Sequence, residues 1–267
     1  MRHGESTWVA EGRFQGTSDP PLSRLGERQA ALTAERLAAA SPGRALPLPP
    51  GRPVACWHSP LLRAAGTAGA IAGAWSPPLS MIADARLREM GLGAWEGRTA
   101  ADVRAAEPEL LDGWRHDPLR HTPSGGESLE EVARRVASFA AELVPRLAEA
   151  EDGGPTPGLE ADRVGVARGP GAADPVGVPV EPVAGTASRS WTIVVAHGGA
   201  LRALLLALLG IPLDAFWAFP FALCGMSVIE LRGGRATLRT HNVVEHVAGL
   251  DVAEVVAAVP PKRDAVL

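Results

Sequence analysis

Ile193–Leu213 is the most apolar stretch of the chain, and it limits the fold more than any other segment. Its length tempts a membrane reading. It holds His197, Gly198, Gly199 and Arg202, however, and it ends at Pro212. A strand, a tight turn and a helix fit those interruptions better than a lipid span. Trp191–Ala196 is almost continuously apolar, as a strand covered on both faces must be. Ala200–Leu209 is the helix behind it, stopped by Gly210 and Pro212.

The rest of the chain alternates in the same way. Val54–Trp57 reads as a short strand and Leu61–Ala74 as a helix, although Gly66, Gly69 and Gly73 weaken it. Met81–Ala83 is a further strand, and Thr99 caps a short helix through Ala106. Ser23 caps a helix to about Ala40. Glu127–Glu149 is the clearest helix, because Leu129, Val132, Val136, Phe139, Leu143 and Leu147 recur at helical spacing. Met226–Leu231 and Ala236–Thr240 are strands around Gly233-Gly234. Residues 5–22, with Gly12, Gly16, Pro20 and Pro21, read as a loop. Strands alternating with helices give a three-layer α/β/α sandwich with a mostly parallel central sheet. The expected organisation is one domain over residues 1–267, with a loose C-terminal tail. Residues 151–190 carry eight Gly and six Pro, too little apolar surface to offset the entropy of ordering, so they read as a disordered insertion.

Composition excludes some functions. A net charge of −4 without a basic stripe argues against nucleic-acid binding. Cys56 and Cys224 are far apart and form neither a disulfide framework nor a zinc pattern. No secretory signal opens the sequence, so a soluble, reducing, cytoplasmic setting is expected. His241 and His246 lack a third ligand at suitable spacing, so no metal is expected there. His58, His116 and His121 read as ordinary, though His116 with Arg115 and Arg120 adds positive charge to a substrate rim.

Chemistry collects at strand ends. In an α/β sheet, ligands sit at the carboxyl ends of the strands. His3, Ser59 and His197 each follow a real or implied strand end, so the three converge. Arg2 beside His3 offers a fork of donors for phosphate oxygens, and Gly4 lets a bulky anion approach. Gly198 and Gly199 place backbone N–H groups at a helix start.

Five motifs then occur in order: Arg2-His3-Gly4-Glu5, Ser59-Pro60-Leu61-Leu62-Arg63, Leu87-Arg88-Glu89, Ser124-Gly125-Gly126-Glu127-Ser128, and His197-Gly198-Gly199. Over residues 2–150 and 190–245 the chain resembles the histidine phosphatase superfamily, the phosphoglycerate-mutase-like proteins. The resemblance implies a metal-independent, cofactor-free phosphomonoesterase acting on a small phosphorylated metabolite through a phosphohistidine. It implies His3 as the nucleophile, with Arg2, Arg63, Ser59, His197 and Gly198 around the phosphate. Glu89 is implied as the proton carrier, with Glu96 and Glu127 as rivals. Burial near Leu87 or Trp95 is expected to raise its pKa. Gln15 and Gly16 match the family's loop over the pocket, and Glu127 its second loop, so all three are expected near substrate.

The sequence departs from that pattern at Val9, where the family commonly has Asn, and only Met1 and Arg2 stand where a central strand precedes the nucleophile. Two other readings accompany the phosphatase. One is a cofactor-dependent phosphoglycerate mutase, disfavoured by Met90-Gly91 and by the absence of any Tyr. The other is a catalytically impaired protein that binds a phosphorylated ligand. Expected partners are the metabolite and, at most, a second copy of the chain, with no nucleic acid and no membrane.

Overall fold

The computed structural model describes residues 1–39, 46–49, 51–149, 190–232 and 234–250. In chain order these form α1 (Thr7–Ala10), α2 (Arg24–Ala38), β1 (Cys56–His58), α3 (Leu62–Gly73) and β2 (Met81–Ala83). Next come α4 (Ala100–Ala106), α5 (Pro108–His116), α6 (Leu129–Glu149), β3 (Ile193–Val195), α7 (Gly198–Leu209), β4 (Met226–Arg232) and β5 (Arg235–Val243). The insertion expected at 151–190 lies, except for Ser190, outside the described residues, as does the expected tail from residue 251.

The central sheet is parallel, in the order β2-β1-β3, with Trp57 opposite Ile82 on one side and Val194 on the other. Residues 1–3 extend it beyond β3. Arg2 bridges Ala196 in parallel sense, with the Met1 amine donating to the Val194 carbonyl at 2.7 Å and His3 N–H to the Ala196 carbonyl at 3.0 Å. On its other flank, Arg2 N–H donates to the Gly225 carbonyl and Cys224 N–H to that of His3. Met1 and Arg2 thus occupy the strand position expected before His3. β4 and β5 form a separate two-stranded antiparallel sheet.

Alternation along each strand divides the core. Cys56, Ile193 and Val195 face a layer containing Ala34, Leu37, Ala64, Ala68 and Ile71 of α2 and α3. Trp57 and Ala196 face Val132, Val136 and Phe139 of α6 with Leu201 and Leu204 of α7. Period-two burial of this kind puts helices on both faces of the sheet.

The helix starts are chemically specified. The Ser23 side chain accepts from Gly26 N–H, and Thr99 with Asp102 forms a reciprocal capping box. Ser128 and Glu131 exchange the same two bonds, so α6 begins at Leu129 rather than Glu127. Two helices depart from the sequence reading. α1 lies inside the expected loop, where the Ser6 side chain accepts from Val9 N–H and starts one turn. α5 follows directly after α4, with Pro108 in its first turn, a position that needs no amide hydrogen. Two strands are also shorter than expected, β1 covering Cys56–His58 and β3 Ile193–Val195, whereas β4 and β5 run longer. No helix among the described residues is long and apolar enough to cross a membrane.

Candidate active site

The carboxyl ends of β1 and β3, and of the segment before His3, open on one place. His3, Ser59, Arg63 and His197 are all buried there. The His3 and His197 rings stand with centroids 5.0 Å apart, tilted by 58°.

His3 is oriented by its own neighbour. Its Nδ1 lies 2.6 Å from the Gly4 carbonyl oxygen. A carbonyl only accepts, so the ring proton sits on Nδ1 and the lone pair on Nε2. This tautomer is assigned from the hydrogen-bond network. Gly4 is required by packing, since a β-carbon there would lie 2.6 Å from the Gly26 carbonyl oxygen of α2. Burial drives the His3 pKa well below its ordinary value, and the Arg63 and Arg2 charges lower it further. The ring is therefore neutral and carries a free lone pair. His197 is lowered in the same sense, by burial first and then by His3 and the nearby arginines. Its Nε2 lies 2.7 Å from Ser59 Oγ.

Two guanidinium groups flank the imidazoles. Arg63 donates through Nη1 to the Ser18 carbonyl at 2.7 Å and through Nη2 to that of Gly16 at 2.8 Å. Arg2 Nη1 donates to the Phe221 carbonyl at 2.8 Å. Burial lowers the pKa of Arg63 to about 10, which leaves it charged at neutral pH. Among the described residues, neither arginine has a carboxylate within ion-pair distance. Arg2 Nε, Arg63 Nε and His197 Nδ1 are buried with no hydrogen-bond partner among the described residues. A buried polar group left unpaired costs roughly 1–3 kcal/mol. Three of them in a neighbourhood of positive charge describe a receptor for an anion.

Glu89 completes the cluster. Its carboxylate accepts from Gly199 N–H at 3.0 Å, from Ala200 N–H at 3.2 Å and from Met90 N–H at 2.9 Å. It therefore sits at the N-terminus of α7, where amide donors and the helix dipole favour negative charge. Gly199 is needed for that approach, because a β-carbon would lie 2.5 Å from Glu89 Oε1.

The other expected residues stand around this centre. Gln15 Oε1 accepts from the Ser6 hydroxyl, and the Gly16 carbonyl holds Arg63, so their loop is tied to that guanidinium. Glu96 is occupied inside that loop, accepting from Thr17 N–H, Ser18 N–H and Leu92 N–H. Glu127 faces Arg135, which it pairs with at 2.7 Å, and also accepts from Gly91 N–H. Arg135 in turn donates to the carbonyls of Arg86, Arg88 and Glu89. Glu127 thus belongs to the brace behind Glu89. His241 and His246 are engaged with Ser227 and Thr33, and no metal-holding group of His, Cys, Asp or Glu occurs among the described residues.

Sequence reasoning gave no role to Arg135 or Arg202. Arg135 lies on α6, where its position reads as an ordinary charged face. Arg202 lies one turn into α7, and its Nη1 would be 3.3 Å from a β-carbon on Gly198. Its i, i+4 relation to Gly198 was the available signal.

The model for the histidine phosphatase superfamily (branch 1) matches residues 1–151 and 180–244. A glucosyl-3-phosphoglycerate phosphatase of Mycolicibacterium vanbaalenii is 34% identical over 87% of this chain and 82% of its own. A phosphoserine phosphatase 1 of Hydrogenobacter thermophilus is 28% identical over 92% of both chains. Among solved structures, the mycobacterial glucosyl-3-phosphoglycerate phosphatase in complex with VO3 superposes with a TM-score of 0.68 at 28% identity, over 91% of this chain and 96% of that one. With its two facing imidazoles and two buried guanidinium groups at the ends of a parallel sheet, the chain belongs to the histidine phosphatase superfamily, branch 1.

Proposed function

We propose that the protein is a phosphomonoesterase that hydrolyses a small phosphorylated metabolite in the cytoplasm through a phosphohistidine on His3. The observation that carries this reading is the pair of neutral imidazoles, 5.0 Å apart, between two guanidinium groups with unpartnered buried Nε atoms. Free Cys56 and Cys224, both buried, accord with a reducing compartment.

His3 Nε2 attacks phosphorus in line with the ester oxygen. The P–N bond forms as the P–O bond breaks, and the proton carried by Glu89 passes to the departing alcohol. Arg2, Arg63 and His197 Nδ1–H hold the equatorial oxygens as charge spreads over them. Glu89, now ionised, takes a proton from water, the hydroxide oxygen attacks phosphorus, and the P–N bond breaks. Phosphate leaves, and His3 and Glu89 are restored.

Two relatives carry names that specify substrates, glucosyl-3-phosphoglycerate and phosphoserine. Both molecules place a carboxylate two carbons beyond the ester carbon. We take phosphorylated hydroxy acids of that kind as the substrate class.

The test is hydrolysis of p-nitrophenyl phosphate, together with alkaline detergent quenching during turnover of radiolabelled substrate. The expected results are an acid-labile, base-stable phosphoenzyme and its disappearance in His3→Ala with the activity. A His3→Ala protein that still turns over, or a phosphoenzyme labelled elsewhere, refutes the proposal.

A further inference from the structure

We infer that Arg202 recognises a carboxylate on the leaving alcohol and makes the enzyme selective for phosphorylated hydroxy acids. This deepens the phosphomonoesterase reading and rests on it.

Arg202 adjoins the phosphate cluster without belonging to it. Around the point where a Gly198 β-carbon would stand, Arg202 Nη1 is 3.3 Å away and Arg2 Cζ and Nε are each 3.9 Å away. Two guanidinium groups therefore flank the start of α7, and a β-carbon at Gly198 would press on the nearer of them. Like charges this close are unfavourable unless an anion is shared between them.

The group is also held still. Arg202 Nε donates to the Phe219 carbonyl at 2.9 Å. Its guanidinium lies 5.0 Å from the Trp217 ring centroid and 5.6 Å from that of Phe216. A stacked, anchored guanidinium has little conformational freedom left to lose and presents its remaining N–H groups in a fixed direction.

Charge counting sets what it receives. Arg2, Arg63 and Arg202 are three cations whose common acidic neighbour is Glu89. Asp19 and Glu96 also act on Arg63, and a phosphate dianion faces Arg2 and Arg63. Arg202 has no carboxylate within ion-pair distance among the described residues, so its charge is left without a close partner on the flank where Arg2 meets α7. A carboxylate on the alcohol supplies the matching charge, and the planar fork of Arg202 suits it. An uncharged alcohol leaves the guanidinium uncompensated.

The experiment compares kcat/KM of the full chain for phosphoglycerate and phosphoserine with glycerophosphate and phosphoethanolamine, which lack the carboxylate. Wild type is expected to prefer the carboxylates by roughly 10- to 100-fold, the range of a charge-assisted hydrogen-bond pair. In Arg202→Met that preference collapses, with a loss at least tenfold larger on the carboxylate substrates, and Arg202→Lys restores part of it. A wild type without preference, or an equal loss on both substrate sets, overturns the inference while hydrolysis itself still supports the phosphatase reading. Should Arg202→Met not fold, the wild-type comparison and Arg202→Gln decide in the same way. Should no monoester be hydrolysed, the phosphatase reading fails. Thermal shifts then decide the inference: a larger shift with phosphoglycerate than with glycerophosphate, lost in Arg202→Gln, upholds it, and equal shifts overturn it.

Discussion

The Ser59 hydroxyl meets Nε2 of His197 at 2.7 Å, joining the end of β1 to the turn after β3. With the hydroxyl donating, the ring proton stays on Nδ1, the buried nitrogen that has no partner among the described residues. Ser59→Ala removes what fixes that tautomer and leaves a buried ring nitrogen unpaired, at a cost of about 1–3 kcal/mol. We expect kcat to fall roughly tenfold or more and imidazole nitrogen NMR to report a mixture of His197 tautomers. Unchanged kcat with a single tautomer would show that Ser59 does not orient the ring.

Glu89→Gln should separate the two halves of the reaction. Gln neither gives nor takes the proton, so turnover of an alkyl phosphate should drop on the order of 10²- to 10⁴-fold. Nitrophenolate leaves without help, so the variant should still phosphorylate His3 with p-nitrophenyl phosphate and then stall. Stopped-flow absorbance is expected to record one equivalent of nitrophenol per active site followed by slow turnover. A uniform slowing of both substrates without a burst would assign Glu89 to phosphate positioning instead.

Two glycines make opposite predictions about stability. A β-carbon on Gly26 would collide with the carbonyl oxygen of Glu5, in the segment that carries His3. Gly26→Ala should cost at least about 1–3 kcal/mol and lower kcat with it. Gly69 lies inside α3 with nothing within 4 Å of the added carbon. Gly69→Ala should stabilise by roughly 0.5–1 kcal/mol and leave kcat alone. Urea midpoints and pNPP assays on both variants check the pair.

Acid should weaken the fold through the site itself. The folded-state pKa values of His3 and His197 lie well below 6.5, with burial the main cause. The unfolded chain therefore binds protons first as pH drops below the ordinary histidine value, and stability falls over that window. Between pH 7.5 and 5.5 each of the two should contribute about 1 kcal/mol of loss. A bound oxyanion raises both pKa values, so saturating vanadate should flatten the slope. Urea titrations at several pH values, with and without vanadate, test this. A steep slope that survives in His3→Ala with His197→Ala would locate the titration elsewhere.

Much of the site is legible because its residues sit where a strand stops and a helix starts. Polar residues such as His3, Ser59 and His197 interrupt apolar runs at those places, and the capping signals at Ser23 and Thr99 mark the neighbouring helices. Less legible is what acts from a distance. Arg135 reaches the Arg86, Arg88 and Glu89 carbonyls from α6, a contact that depends on how two layers are spaced. The rival carboxylates Glu96 and Glu127 look equivalent to Glu89 in the sequence. They separate only when Glu96 is seen to cap Thr17 and Ser18, and Glu127 to face Arg135. α5 went unread because Pro108 looks like a break and serves as a start.

The segment that carries the nucleophile draws its hydrogen bonds from Val194, Ala196, Cys224 and Gly225. Its hydrogen-bond partners lie about two hundred residues further along the chain, 193 in the case of Met1 and Val194. Contacts so distant in sequence form late and slowly. The facing pair of imidazoles is therefore a certificate that the chain has been made and folded past β3, because no fragment that stops before it can hold both.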